Sequence, residues 1–243
     1  MSLTPEGSEY LERCRQILGD VDEAERSVSQ HESELKGRIR ITAPVEFGQR
    51  HVAPILTRFI KENPKTSVDL MLLDRNLDLV EEGVDLGLRI GRLPDSGLVA
   101  LPVGELTRVV CASPDLIETK GEPKTPDDLR KLPCIRQQIL ARSSTWSFRD
   151  GFSRVSVKVE GWFTCNQISA AVTACVHGAG FGQFLSYQVR DELSRGELKR
   201  VLVPFEIQAI PVNIVYSGGR FASVRQLALA RFLQSHLRES VFS

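Results

Sequence analysis

No run among the 243 residues approaches the roughly 18 consecutive apolar residues that a membrane-spanning helix needs. The opening Met1-Ser2-Leu3-Thr4-Pro5-Glu6 also lacks the basic-then-apolar plan of a secretory signal, so the reading is a cytoplasmic protein with no membrane partner. Cysteine is scarce: Cys14, Cys111, Cys134, Cys165 and Cys175 are five, an odd number, widely spaced, with no C-x-x-C pair and no histidine at metal-ligand spacing. That argues against a disulfide framework and against a zinc site, and leaves each cysteine as a small buried hydrophobe in a reducing compartment. G-x-S-x-G, H-E-x-x-H and G-x-x-x-x-G-K-[ST] are all missing, so neither an enzyme nor a metal or cofactor is expected. Nor does one sign of charge dominate. Lys+Arg and Asp+Glu number 31 each, whereas a chain that grips phosphates carries a basic surplus.

What is present divides at about residue 36. Thr4, Pro5 and Glu6 make a helix start, with a capping hydroxyl, a proline at the first helical position and an early acid. Tyr10, Cys14, Ile17, Val21, Ala24, Val28 and His31 then alternate spacings of four and three, a heptad stripe suited to pairing with another chain. The same stripe also fits an amphipathic helix lying on its own domain. From Gly37 strands and helices alternate: a strand at Arg38–Thr42, a helix marked by Val52, Ile55, Leu56, Phe59 and Ile60 and closed by Asn63-Pro64, a strand at Val68–Leu73, a helix at Leu77–Glu82 and a strand at Asp85–Ile90. This order is the mark of a parallel sheet. Further strands are predicted near Thr107–Ala112, at Val155–Val159, Gly182–Leu185 and Val212–Tyr216, with helices over Asn166–His177 and Val224–Leu237. Two α/β lobes fit this layout.

Gly178-Ala179-Gly180-Phe181-Gly182 is glycine-rich but follows a helix and precedes a strand, the reverse of a dinucleotide loop, so it reads as a helix stop and a tight turn. His177, just before it, can cap the negative end of its helix. Two strand-to-helix junctions are better binding candidates: Ala43-Pro44-Val45-Glu46-Phe47-Gly48 and Thr164-Cys165-Asn166-Gln167-Ile168. Unpaired amides at a helix start attract anions, and facing lobes would place both starts on one cleft suited to a carboxylate. Asn166 as a plain helix cap and Glu46 as a plain dipole partner stay open. Trp162, Phe163 and Phe184 could line a pocket or fill a core.

Gly37-Arg38-Ile39-Arg40-Ile41-Thr42-Ala43-Pro44, Phe47-Gly48, Pro54, Phe59, Asn63-Pro64, Leu73–Leu86, Arg89-Ile90-Gly91, Asp95-Ser96, Ala112-Ser113-Pro114, Pro126-Asp127-Asp128-Leu129, Gly178–Gly182, Leu185–Val189 and Gly196-Glu197-Leu198 follow one another in an order that resembles the effector-binding domain of LysR-type transcriptional regulators. The resemblance spans nearly all of residues 37 to 237. It implies an α/β, two-lobed sensor resembling type 2 periplasmic binding proteins, preceded by a long amino-terminal linker helix. Residues 1–36 would be the dimerisation helix, 37–111 with 210–243 the first lobe, and 112–209 the second. The family's amino-terminal helix-turn-helix is missing, as in a truncation. Carried over by position, an effector would meet Pro44, Val45, Glu46 and Phe47 at the first helix start, Ile90 and Gly91 at a strand end, Cys134, Ile135 and Arg136, then Asn166, Gln167 and Ile168, with Phe184 facing them. Many members have A-L-L-P where this chain has Gln183-Phe184-Leu185-Ser186, which bears on the ligand and not on the fold. The implied partners are a small carboxylate effector, further copies in a homodimer or homotetramer, and DNA through the missing domain. A transporter's solute-binding protein shares the fold, but predicts an export signal or lipid anchor.

The even charge balance hides an uneven distribution. Residues 1–36 hold nine acids against four bases, a net of −5, so the remainder is +5. The first part is then a poor phosphate binder and a reasonable dimer strut, and the second suits an anionic ligand.

Overall fold

The computed structural model describes residues 35–75, 77–93, 97–137, 145–217 and 223–242; the heptad stripe from Tyr10 to His31 lies outside them. Alternation decides the first strand. In β1 (Gly37–Ala43), Ile39 and Ile41 are fully buried while Arg38 and Arg40 stay exposed. A continuous helical run follows through α1 (Val45–Phe47), a π-helical turn (Gly48–Val52) and α2 (Ala53–Glu62). It buries Phe47, Val52, Ile55, Leu56 and Phe59 against the sheet, and leaves Ile60, expected on the same face, exposed. Asn63 ends it, donating both its backbone and its side-chain amide to the Phe59 carbonyl.

Strands β2 (Thr66–Leu72) and β3 (Leu86–Ile90) flank β1 in parallel, as the strand–helix–strand order implies. The helix expected over Leu77–Glu82 is a series of turns instead. Asp78 Oδ1 accepts from the amides of Val80 (2.9 Å) and Glu81 (3.2 Å), a local bond that competes with helix, and Gly83 at φ 61° turns the chain away.

Beyond β3 the sheet becomes mixed. β4 (Leu98–Ala112) is 15 residues long, where the sequence pattern marks only its end, because Pro102 and Gly104 interrupt the apolar run. It pairs antiparallel with β11 (Ile207–Ser217) along its first part and with β9 (Gly182–Leu185) and β10 (Lys199–Val201) along its last. The sheet order is β10-β4-β11-β3-β1-β2, with β9 also on β4. β11 departs from the ladder at a bulge: Ile207 faces Arg108 and Ile210 faces Leu106, so two residues oppose Thr107 alone, and Ala209 takes φ 59°.

The second body carries α3 (Pro114–Lys120), whose first turn is capped by Ser113, then β5 (Cys134–Gln137) parallel to β8 (Gly161–Cys165), and the hairpin β6 (Thr145–Asp150) to β7 (Ser153–Lys158). Helices α4 (Ile168–Val176) and α5 (Arg190–Ser194) complete it, and α6 (Val224–Val241) returns to the first body. The glycine run behaves as a helix stop. Ala179 N donates to Ala174 O and Gly178 N to Cys175 O, a Schellman closure with Gly178 at φ 74°.

Apolar side chains form separate cores in the two bodies. One gathers Ile39, Ile41, Phe59, Leu88, Val212, Leu229 and Leu233 from β1, α2, β3, β11 and α6. The other body has a core on each side of its strands, one around Phe148, Phe181 and Leu129 and one around Ile135, Val172, Cys175 and Phe184. Among the described strands, β4 and β11 run between the two bodies, β4 pairing with β11 on one side and with β9 and β10 at its end.

Candidate functional site

A cavity of about 420 Å³ lies between the two bodies. The first body supplies Pro44 after β1, Leu73 to Arg75 after β2, and Leu88 to Gly91 at the end of β3. The second supplies Ile135 to Gln137 from β5, Thr145 and Trp146 from β6, Ile168 at the start of α4 and Gln183 to Leu185 from β9. Arg108 and Ile210 come from the two crossing strands. Three of the chain ends that meet here are the carboxyl ends of β1, β2 and β3, where open α/β sheets bind ligands.

Of the residues predicted to meet an effector, Pro44, Ile90, Gly91, Ile135, Arg136, Ile168 and Phe184 line this cavity. Val45 and Gln167 stand at the two helix starts without lining it, and Asn166 is exposed. Phe47 and Cys134 are fully buried, Phe47 against His51 and Tyr187 at ring distances of 4.9 and 5.1 Å. Glu46 accepts from Arg50 Nε at 2.6 Å, and the same guanidinium reaches Asp191 at 3.2 Å. Asn166 does not cap α4: the residue before its first turn is Gln167, which makes no side-chain cap bond. Trp162 and Phe163 belong neither to a core nor to this cavity. They sit on β8, 73% and 38% exposed, because β8 has a neighbour on one side only among the described strands.

The lining is cationic. Arg75, Arg89, Arg108 and Arg136 contribute four positive charges against one acid, Asp74. Asp74 is itself engaged, its Oδ1 accepting from Val45 N at 3.0 Å, so a carboxylate of the protein already occupies the first helix start. Arg89 donates to the carbonyls of Leu88 and Leu77, both at 3.3 Å, and burial lowers its pKa. Burial lowers that of Arg108 too, and the charge of Arg154 adds to the effect. Neutral polar groups are tied together across the floor: Gln137 Nε2 donates to Gln183 O at 3.1 Å, and Gln183 Nε2 to Ser147 O at 3.2 Å. Gln188 Oε1 accepts from Leu185 N at 2.8 Å, and its amide nitrogen reaches the Tyr187 hydroxyl. Arg108 is not among the residues expected at the site; its signal in the sequence is a charged residue flanked by Leu106, Val109 and Val110 in an apolar strand.

Three of the thiols fit the expected role of small buried hydrophobes, Cys165 is less enclosed than expected, and Cys14 lies outside the described residues. Cys134 and Cys175 are fully buried and pushed up to about 12, Cys111 is buried and raised further, and Cys165 is partly exposed with its thiol donating to Gln167 O. Among the described residues no helix is long and apolar enough to cross a membrane.

Residues 32–238 match the family model of the LysR substrate binding domain. An HTH-type transcriptional regulator from Xanthomonas campestris is 33% identical over 241 residues, covering 98% of this chain and 70% of the relative. One from Haemophilus influenzae is 31% identical over 222 residues, covering 91% and 77%. The structure of CrgA, a LysR-type transcriptional regulator from Neisseria meningitidis, superposes with a TM-score of 0.72 at 25% identity, covering 97% of this chain and 80% of CrgA. The cavity therefore lies in an effector-binding domain of periplasmic-binding-protein-like fold, and the chain belongs to the LysR-type transcriptional regulators.

Proposed function

We propose that this chain is the effector-sensing and oligomerising portion of its regulator, and that a small anionic metabolite, a carboxylate by class, binds between lobes comprising residues 37–111 with 210–243 and residues 112–209. The observation that supports this reading most is the arginine-lined cavity of about 420 Å³, closed from two sides by separately packed bodies. The residues assigned to the effector are Pro44 to Phe47, Ile90, Gly91, Cys134 to Arg136, Asn166 to Ile168 and Phe184; those that line the cavity touch the ligand, and the others hold the lining in place. The ligand favours one arrangement of the lobes by its differential affinity for the two, a coupling of about 1–3 kcal/mol. The helix bearing Tyr10, Cys14, Ile17, Val21, Ala24 and Val28 pairs two copies in a homodimer or homotetramer and carries the change to DNA-binding heads in the cytoplasm. The relatives are regulators of transcription, which favours this reading over a solute-binding protein of the same fold.

Calorimetric titration with a panel of small carboxylates tests the cleft. At least one binds, and Ile90→Trp, which fills the cavity from the end of β3, abolishes the heat while the circular dichroism stays unchanged. Binding that survives in Ile90→Trp sinks the site. Light scattering tests the assembly, and a strictly monomeric chain would refute the pairing helix.

A further inference from the structure

The four arginines of the cavity are not equivalent. Arg89 is committed to two backbone carbonyls, Arg136 has a partner of its own, and Arg75 is exposed. Arg108 is half-buried on β4, and its guanidinium has neither a hydrogen bond nor an acidic partner among the described residues. The charge acting on it is a second cation, Arg154 on β7 of the other body. The bulge of β11 lies directly opposite, at Thr107, and bulges next to a binding site re-aim the neighbouring side chains. A half-withdrawn cation without a counter-charge lowers the stability of the empty protein, and an anion in the cavity that accepts from its guanidinium offsets that cost. One other anion position, the first helix start, already holds Asp74.

We propose that Arg108 is the residue that selects the ligand's charge: a carboxylate in the cleft accepts hydrogen bonds from its otherwise unpartnered guanidinium, while the apolar part of the ligand lies against Ile135, Ile168 and Phe184. This rests on reading the cavity as the effector site. It assigns the ligand a defined orientation, with its anionic end at the crossing strand β4 and its apolar end in the second body. It also makes Arg108 a residue kept for binding at the expense of stability.

Thermal melting and calorimetric titration of the full chain with benzoate and succinate, at constant ionic strength, are compared with benzamide and succinamide as uncharged counterparts. In the wild type at least one of the anions raises the Tm and binds about tenfold or more tightly than its amide. Arg108→Gln removes that preference and melts higher than the wild type when ligand-free. Arg108→Lys, which keeps the charge and loses the planar fork, retains part of it. Arg154→Gln also melts higher when ligand-free but still prefers the anion. An Arg108→Gln protein that keeps the full preference overturns the assignment while leaving the cleft as the effector site. So does one that melts below the wild type when ligand-free while Arg154→Gln melts above it. If neither anion affects the wild type, or if either acts equally on Ile90→Trp, the reading of the cleft falls together with the assignment.

Discussion

Gly91 closes β3 at φ 109°, donating its amide to Pro211 O at 2.8 Å, and a Cβ added there would meet nothing within 4 Å. Any cost of Gly91→Ala is therefore backbone strain alone, about 1–3 kcal/mol, and urea unfolding should report it as a lower midpoint with an unchanged slope. His51 carries a different kind of cost. Its ring lies between Phe47 and Tyr187, its Nε2 is buried without a partner among the described residues, and its pKa is lowered from 6.5 by burial and then by Arg190 and Arg50, with Asp191 opposing. Below pH 6.5 the unfolded chain gains a proton at this position that the folded chain resists, so stability falls as the pH drops from 6.5 toward the lowered value. His51→Phe keeps the ring and removes the titration; its denaturation midpoint should be flatter between about pH 7 and pH 5 than that of the wild type. An equal slope in the two proteins would show that other groups set the acid sensitivity. Residues of this kind are hard to read from sequence. The pattern marks Phe47 and Ile90 as apolar, but which apolar side chain faces a core and which a cavity depends on how the two bodies meet.

At the scale of elements, periodicity made the long helices legible. Ser223 Oγ accepts from Gln226 N at 3.3 Å at the start of α6, and the Gln226 side chain donates to Asp85 O, so this first turn also fastens the helix to the loop before β3. Ser223→Ala should cost about 1 kcal/mol, and a thermal melt that does not move would mean the first turn is held by Gln226 alone. Elements whose partners lie far off in sequence were less visible. The sequence pattern marks β4 only over its last residues, because Pro102 and Gly104 look like turn residues until β11 is placed beside them. Gly104 is there because the Phe242 ring takes the space of a side chain; a Cβ would lie 2.4 Å from its Cγ. β5, β6, β8 and β10 are three to six residues long, too short for alternation to distinguish from loop.

At the scale of the whole molecule, the pattern of strands and helices suggests two α/β lobes and the parallel pairing of β1, β2 and β3, and the ordered motifs of residues 37 to 237, which resemble those of a known family, add how the chain passes from one lobe to the other and back. The electrostatic character of the cleft was half legible. The surplus of five positive charges after residue 36 is visible in the sequence, but its concentration on four arginines in one cavity is a product of topology: Arg75, Arg89, Arg108 and Arg136 come from four separate strands or strand ends. The two strands that cross between the bodies are not alike. β4 has its extra residue at Val103, where Val212 faces Gly104 and Asn213 faces Pro102, while β11 carries the bulge between Ile207 and Ile210 opposite Thr107, next to the cavity-lining Arg108 and Ile210. Amides 208 and 209 therefore lie outside the regular ladder, and in deuterated water they should exchange orders of magnitude faster than those of Val109 and Val110 on the neighbouring strand. Bound anion at Arg108, the residue facing Ile207, should slow them, whereas uniform protection along both strands before ligand is added would contradict it. On this expectation the point where the bodies are joined is also where the protein opens most readily, and exchange at two backbone protons would time the occupancy of the cleft.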